Sequence, residues 1–440
     1  MPGASVAQVP ASYFVGCEAA ADSNSGRSPD AAWRTLERAS SAALRPGDSL
    51  LVQRGCVWDG ERLDLGWDGT ASAPIVVATY GDPQAPRPVI QNGGWTNVRI
   101  DGSYLEVSSL SVRHDPPGTI QACGQPIGNY YGFVLADGAH HNVLRRSRAT
   151  REMAGLLLSQ GSSYNTVTHN EFVGNNVMQT FGTDKDLGAW GMTLNGNHQE
   201  VSDNVFKDNK AECPNPAGII YSKSVNLYAA QHNTIHHNFS SDRVFSELGS
   251  SDTGVSEDNL YAYNVFTPTL PSARFIVTRG AGDTAYGPVL STRVLNNSVY
   301  AVAEDGQGTV CVKGCGSDVL TVRSNVLYTS ATVMFADRTF AEGNNILWTT
   351  SGRPNLPFEP SASDVLADPW LVDPAGGDLS LTAASPAVDA STSSPPYPYD
   401  FDHKGVPQGN APDIGGYELQ QADGDPVRVR APSLGVPSPA

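Results

Sequence analysis

Charge is scarce in this chain. Asp, Glu, Lys and Arg make up 17% of its 440 residues, and acidic side chains outnumber Lys and Arg 45 to 28. A net charge of −17 argues against nucleic acid as the main partner, because neutralising phosphates takes Lys and Arg; only a local basic cleft would override that average. No apolar run approaches the ~18 residues that read as a membrane-spanning helix, so no membrane span is expected. The chain also lacks a phosphate loop, a Gly-x-Ser-x-Gly elbow and a dinucleotide fingerprint at a strand–helix junction. Its six cysteines, Cys17, Cys56, Cys123, Cys213, Cys311 and Cys315, form no pair of Cys-x-x-Cys motifs, so neither zinc nor any other metal or cofactor is expected.

An even cysteine count suits disulfides in an exported protein. The expected pairs are Cys17–Cys56, Cys123–Cys213 and a tight Cys311–Cys315 loop. The chain begins Met1-Pro-Gly-Ala-Ser, with no basic-then-apolar segment. The expectation is therefore a secreted protein whose signal peptide has been removed, with a cytosolic protein as the alternative.

What is plentiful is Gly (44) and Pro (31) beside 40% apolar residues, a composition for short strands and turns rather than helical bundles. The strongest pattern is a repeated x-Asn-x-h-x-x-Asn-x-h, with h apolar. Copies include Asn165-Thr-Val-Thr-His-Asn170-Glu-Phe, Asn233-Thr-Ile-His-His-Asn238-Phe-Ser and Asn259-Leu-Tyr-Ala-Tyr-Asn264-Val-Phe. Successive copies end at 147, 170, 204, 238, 264, 297, 325 and 345, steps of 20 to 34 residues. Such a period implies a stacked solenoid. Asn is suited to the turn, since it tolerates left-handed backbone, and stacked amides can bond one another in a ladder. Ser28-Pro-Asp-Ala-Ala-Trp-Arg-Thr-Leu-Glu reads as a short amphipathic helix near 28–42, placed to cover the first open coil.

The opening Tyr13-Phe-Val-Gly, Asp22-Ser-Asn-Ser-Gly, Trp33-Arg-Thr-Leu and Leu44-Arg-Pro-Gly-Asp-Ser-Leu-Leu-Val, followed by Asn-rich coils, resembles the right-handed parallel β-helix proteins of the pectate-lyase-like superfamily. The resemblance covers residues 12–350 and implies an all-β, right-handed parallel β-helix solenoid with an N-terminal capping helix. Residues 351–420 resemble the irregular C-terminal cap of secreted bacterial β-helices, and there Asp402, His403 and Asp413 read as turn and loop residues. Residues 421–440 read as a disordered tail or linker. Chemistry does not follow from this fold, which carries lyases, hydrolases, epimerases and adhesins.

Coils longer than the minimum must bulge into loops, and the longest insertions place a site between about residues 180 and 290. Stacking Ser224-Val-Asn-Leu-Tyr, Val244-Phe-Ser-Glu-Leu, Phe275-Ile-Val-Thr-Arg and Thr309-Val-Cys-Val-Lys predicts a polar column of Asn226, Glu247, Arg279 and Lys313, within one residue of register. Glu247 lies among apolar neighbours, where burial would raise its pKa and suit it to donate a proton. Asp186 is the expected second carboxylate, because glycoside hydrolysis uses two. Asp184, Trp190, Asn226, Arg279, Lys223 and Tyr228 are the expected substrate-binding residues, with Tyr130, Tyr131 and Tyr286 as further aromatic candidates. His236 and His237 read as hydrogen-bonded spacers.

These features predict a secreted glycoside hydrolase acting on a polysaccharide or oligosaccharide. A second chemistry competes. Ile219-Ile-Tyr-Ser-Lys223-Ser resembles a stretch of chondroitinase B and related alginate lyases, in which the Lys abstracts the proton α to a uronate carboxylate. Where those enzymes carry acidic calcium ligands this chain has Asn215, Pro216, Ala217 and Gly218, which weakens the resemblance. A non-catalytic carbohydrate-binding β-helix and an epimerase are the remaining readings.

Overall fold

A computed structural model describes residues 9–18, 20–114, 130–179, 187–212, 214 and 220–419. Three parallel sheets of 12, 11 and 10 strands run the length of the chain. One coil shows the order: Ala154–Leu158 lies in the ten-stranded sheet, Thr166–Thr168 in the twelve-stranded sheet and Glu171–Val173 in the eleven-stranded sheet. Trp190–Leu194 then returns to the ten-stranded sheet beside Ala154–Leu158. This is the expected right-handed parallel β-helix. Its interior is one continuous apolar column from Val15 to Leu347. Short strands such as Thr166–Thr168 send one side chain in and two out, as period-two alternation requires.

The asparagines do their work inside. Asn170, Asn204, Asn238, Asn264, Asn297, Asn325 and Asn345 are fully or almost fully buried. Each amide oxygen accepts from the backbone N–H of its counterpart on the preceding coil, from Ser147 onward, and Asp364 ends the series. A second ladder runs Asn142, Asn165, Gln199, Asn233, Asn259. A third, unforeseen from sequence, runs Glu152, Asn175, Asn209, Asp242. The left-handed backbone does not fall on the ladder residue, as expected, but on the residue before it: His169, Asp203, His237, Tyr263, Asn296, Ser324 and Asn344 all have φ between 51° and 58°. The turn thus divides its labour. One residue takes the strained torsion and points outward, and the next supplies the buried amide.

The entry is closed by a helix of only five residues, Leu36–Ser40, whose Thr35 side chain caps Arg38 N–H and whose Leu36 and Ala39 are buried. It packs on Leu63–Leu65. Trp58 and Trp67 fix the flanking chain by donating to Arg34 O (2.9 Å) and Ala42 O (2.7 Å). Cys17–Cys56 and Cys311–Cys315 are bridged; Cys123 and Cys213 lie outside the described residues, as does the tail expected at 421–440. At the far end Leu356, Phe358 and Leu366 pack against the core. The C-terminal segment does more than cap. It runs back along the outside, with Gly415 N–H donating to Ser324 O (2.8 Å), Gly416 N–H to Ser298 Oγ (2.9 Å), and His403 Nε2 lying 2.6 Å from Asp203. His403, read from sequence as a loop residue, is therefore an anchor. His237 stacks on both His403 and Tyr263, and burial with the adjacent His236 pushes its pKa down to about 3.

The ladder is open to a direct test. Asn264→Ala removes an oxygen that accepts twice from Asn238 and a nitrogen that donates to Ile235 O and Asn297. Each buried group left without a partner costs ~1–3 kcal/mol. Urea unfolding should show a loss of about 3 kcal/mol or more; a loss under about 1 kcal/mol would mean that the ladder does not hold the coils together.

Candidate functional site

The outer face of the ten-stranded sheet brings Lys223, Asn226, Tyr228, Glu247 and Arg279 together, with one register difference. Thr193, Asn226, Glu247, Val277 and Val310 are register partners on successive strands. Asn226 and Glu247 are therefore neighbours, as expected, but Arg279 and Lys313 are not in their column. Arg279 is two residues past Val277, on the same face, and pairs in register with Val312. Lys313 follows in a left-handed turn, φ 65°. The variable length of the insertions hides this offset from a sequence alignment. Arg279 recovers the distance through its length, because its guanidinium reaches back one coil.

Glu247 is the hub. One carboxylate oxygen pairs with Lys223 Nζ and the other with Arg279 Nη2. Tyr228 Oη donates to the latter oxygen at 3.5 Å. Lys223 also donates to Asn226 Oδ1 (3.3 Å) and lies 5.5 Å from the Trp190 ring centroid. Arg279 Nη1 donates to Leu248 O (2.6 Å), and its Nε lies 3.3 Å from Asp283 Oδ2. The guanidinium also sits 6.0 Å and 5.5 Å from the Tyr228 and Tyr286 ring centroids, and these two rings meet edge-on. Gly249 makes room for this: a Cβ there would collide with the Tyr228 ring.

The electrostatics reverse the expectation for Glu247. Burial alone would raise its pKa, but the charges and hydrogen bonds of Lys223 and Arg279 outweigh burial and hold it at about 2. Glu247 is thus an ionised carboxylate, not a resting proton donor. Its side chain keeps 19% of its surface exposed, against 10% for Lys223 and 13% for Arg279, so the Glu247 side chain is the most open of these three. Further along, Arg243 donates to Ile220 O and Ser272 O. Its pKa is lowered by burial and by nearby Arg274. Arg274 Nε is buried with no hydrogen-bond partner. Lys223 and Arg279 pair with Glu247, Arg279 and Lys313 pair with Asp283, and Arg243 lies near Arg274 further along, a local excess of positive charge on an acidic protein.

Trp190, expected as a sugar platform, is 4% exposed and its indole backs Lys223. Asp184 and Asp186 lie outside the described residues. Among the described residues no group of three or more His, Cys, Asp or Glu side chains is arranged to hold a metal ion.

No protein-family model matches the chain. Pectate lyase Pel9A superposes with a TM-score of 0.58 at 18% identity, covering 93% of this chain and 97% of that one. A rhamnogalacturonan lyase gives 0.56 at 15% identity over 76% and 87% of the two chains. This chain shares with them the fold of a right-handed parallel β-helix. GH136 lacto-N-biosidase from Eubacterium ramulus shares it, with a TM-score of 0.51 and 14% identity over 76% of this chain and 67% of that one. In sequence, a lacto-N-biosidase of Bifidobacterium longum subsp. longum is 33% identical over a 130-residue alignment, 23% of this chain, and the match spans only 8% of that protein's length.

On this β-helix the sequence reading missed Asp283, which is 3% exposed and bonded to both Arg279 and Lys313. Its spacing of four residues from Arg279 within a Gly-rich insertion was the available signal. The ion pairs give a stability prediction. A carboxylate whose pKa is depressed from 4.5 to about 2 stabilises the fold above its unfolded pKa, and that contribution is lost as pH falls towards the folded value. Between pH 6 and pH 3 the parent should lose about 2 kcal/mol more than Glu247→Gln in urea unfolding. Parallel losses in the two proteins would show that Glu247 is not held ionised by its neighbours.

Proposed function

We propose that this chain is a secreted carbohydrate-active enzyme, a glycoside hydrolase in which Glu247 is the catalytic carboxylate that works ionised. The observation that carries the reading is an ionised carboxylate fixed by a cation on each oxygen, with Tyr228 beside it and Tyr286 against Arg279. Held at about 2, Glu247 suits attack on the anomeric carbon, or activation of a water that attacks it, and does not suit protonation of the leaving oxygen. The general acid is then a second group, and Asp186, expected as the partner carboxylate, takes that role in place of Glu247, with Asp184 as a substrate contact. Lys223, Asn226, Arg279 and Tyr228 orient Glu247 and the sugar, and Trp190 supports Lys223 from behind. The partial sequence likeness to a lacto-N-biosidase and the shared fold with a second one support a glycosidase. The two disulfides support an exported protein.

The excess of cations favours a second reading, a polysaccharide lyase. There Lys223 would take the proton α to a uronate carboxylate, the C4–O bond would break with the glycosidic oxygen as leaving group, and a C4–C5 double bond would remain. Arg279 would offset the uronate charge. The likeness in fold to pectate and rhamnogalacturonan lyases is compatible with it.

A screen of neutral and uronate-containing polysaccharides, read by reducing ends and by near-ultraviolet absorbance, separates the two. We expect new reducing ends without unsaturated products. Glu247→Gln should lower turnover at least ~10²-fold while substrate still binds. Unsaturated products that Lys223→Ala abolishes and Glu247→Gln spares would replace the hydrolase with the lyase.

A further inference from the structure

Asp283 is a buried carboxylate whose two oxygens have different partners. Oδ1 accepts the N–H groups of Ala285 and Tyr286, both at 3.2 Å, which fixes the turn that carries the Tyr286 ring. Oδ2 lies 3.3 Å from Arg279 Nε and 3.1 Å from Lys313 Nζ. Arg279 is thereby held on three sides, by Asp283 at Nε, Leu248 O at Nη1 and Glu247 at Nη2. A guanidinium is a planar fork, so fixing Nε sets the direction in which Nη2 points. Lys313 is 58% exposed and reaches Asp283 from the solvent side; it shares the carboxylate without touching Glu247.

We infer that Asp283 is a positioning residue: it orients Arg279 on Glu247 and, through the same side chain, sets Tyr286 beside Tyr228. Its part in catalysis rests on the reading of Glu247 as the catalytic carboxylate; its part in orienting Arg279 does not. An amide cannot replace it, because Asn has one oxygen where two are needed. Either the 284–286 turn or the cation pair loses its acceptor, and in the second case an N–H faces Nε and Nζ.

The sign of one titration separates positioning from mere proximity. If Asp283 acted on Glu247 only as a nearby negative charge, removing it would make Glu247 easier to ionise and lower its pKa. If Asp283 positions Arg279, removing it loosens the cation that holds Glu247 ionised and raises that pKa. The measurement is carboxyl carbon NMR on protein labelled at glutamate, with the Glu247 signal assigned by its loss in Glu247→Gln. From about 2 in the parent, Asp283→Asn should move the midpoint up by about one pH unit, a tenfold gain in proton affinity. An unchanged or lowered midpoint in folded Asp283→Asn overturns the inference. Asp283→Glu keeps the inference testable even if Asp283→Asn does not fold. It keeps the charge but displaces the carboxylate by one methylene, so proximity alone predicts an unchanged Glu247 midpoint, a loosened Arg279 predicts a rise, and an unchanged midpoint in folded Asp283→Glu overturns the inference. Because the readout is ionisation and not turnover, an active Glu247→Gln would sink the hydrolase reading while leaving this result standing.

Discussion

A side-chain amide buried away from water has to find partners for both its oxygen and its nitrogen, and at the corners of this solenoid those partners belong to adjacent coils. Asn204, for example, receives Asn170 N–H on its oxygen and donates its own Nδ2 to Val167 O and Asn238. Each coil from Asn170 to Asn345 is therefore fixed against both neighbours at the corner, within hydrogen-bond tolerance, and a slip of one residue would leave several buried groups without partners. The outward residue before each amide repeats with the same spacing. Tyr104, His141, Tyr164, His198 and His232 stack on the outside with centroids 4.6–5.2 Å apart, close to the ~4.8 Å separation of parallel strands. The inner amides and the outer rings are two readouts of one geometric constraint.

That constraint also builds the site. Loops between the ladders vary in length, but each strand of the ten-stranded sheet enters in a register set by its corners. Asn226 and Glu247 are held side by side across the gap from one coil to the next, although the chain between them passes through two other sheets. Lys223 and Arg279 approach the same carboxylate from the coils on either side of it. Such a cluster would be costly if any member were missing, since each buried charge depends on its partner. Here the cations are matched one to each oxygen of Glu247, and Asp283 anchors Arg279 from behind.

The repeat, the fold and the stretch of chain that bears the cluster were legible in the sequence because they depend on periodicity. Glu247 and Asn226 could be placed together because both sit mid-strand in adjacent coils. Arg279 was assigned the wrong row, since insertions of differing length conceal a two-residue offset that only the backbone register reveals. The third ladder was missed for a chemical reason: Glu152 enters it through its backbone N–H, Asp242 stands at its other end where the repeat would have Asn, and a pattern defined by amides skips an acid that makes the same bonds. Asp242 is buried with its carboxyl pushed up to about 7, burial outweighing the bonds it accepts from Asn209 and Ser224. Glu247, also largely buried, moves the opposite way. From sequence Glu247 lies among apolar residues and Asp242 beside Arg243, which would suggest the reverse. What separates them is whether a cation from another coil arrives, and that is a tertiary fact.

The same comparison constrains how a hydrolase can work on this scaffold. A general acid needs a pKa raised towards the working pH, and an ionised partner needs one kept low. Lys223 and Arg279 hold Glu247 ionised, so Glu247 can supply the ionised member of a pair but not the acid. Asp283 illustrates the limit: it is more buried than Glu247, yet Lys313 and the N–H groups of Ala285 and Tyr286 outweigh burial and keep its pKa low. On the hydrolase reading, therefore, the proton has to come from a group outside this cation cluster. Asp184 and Asp186 precede, in sequence, the strand Trp190–Leu194 that pairs with the Lys223 strand, which is why the proposal turns to them for that proton. The lyase reading has a different requirement: Lys223 must first lose the proton it carries as the partner of Glu247, and the substrate carboxylate is then matched by Arg279 alone. The choice between the two chemistries thus comes down to whether Lys223 stays a cation when substrate is bound.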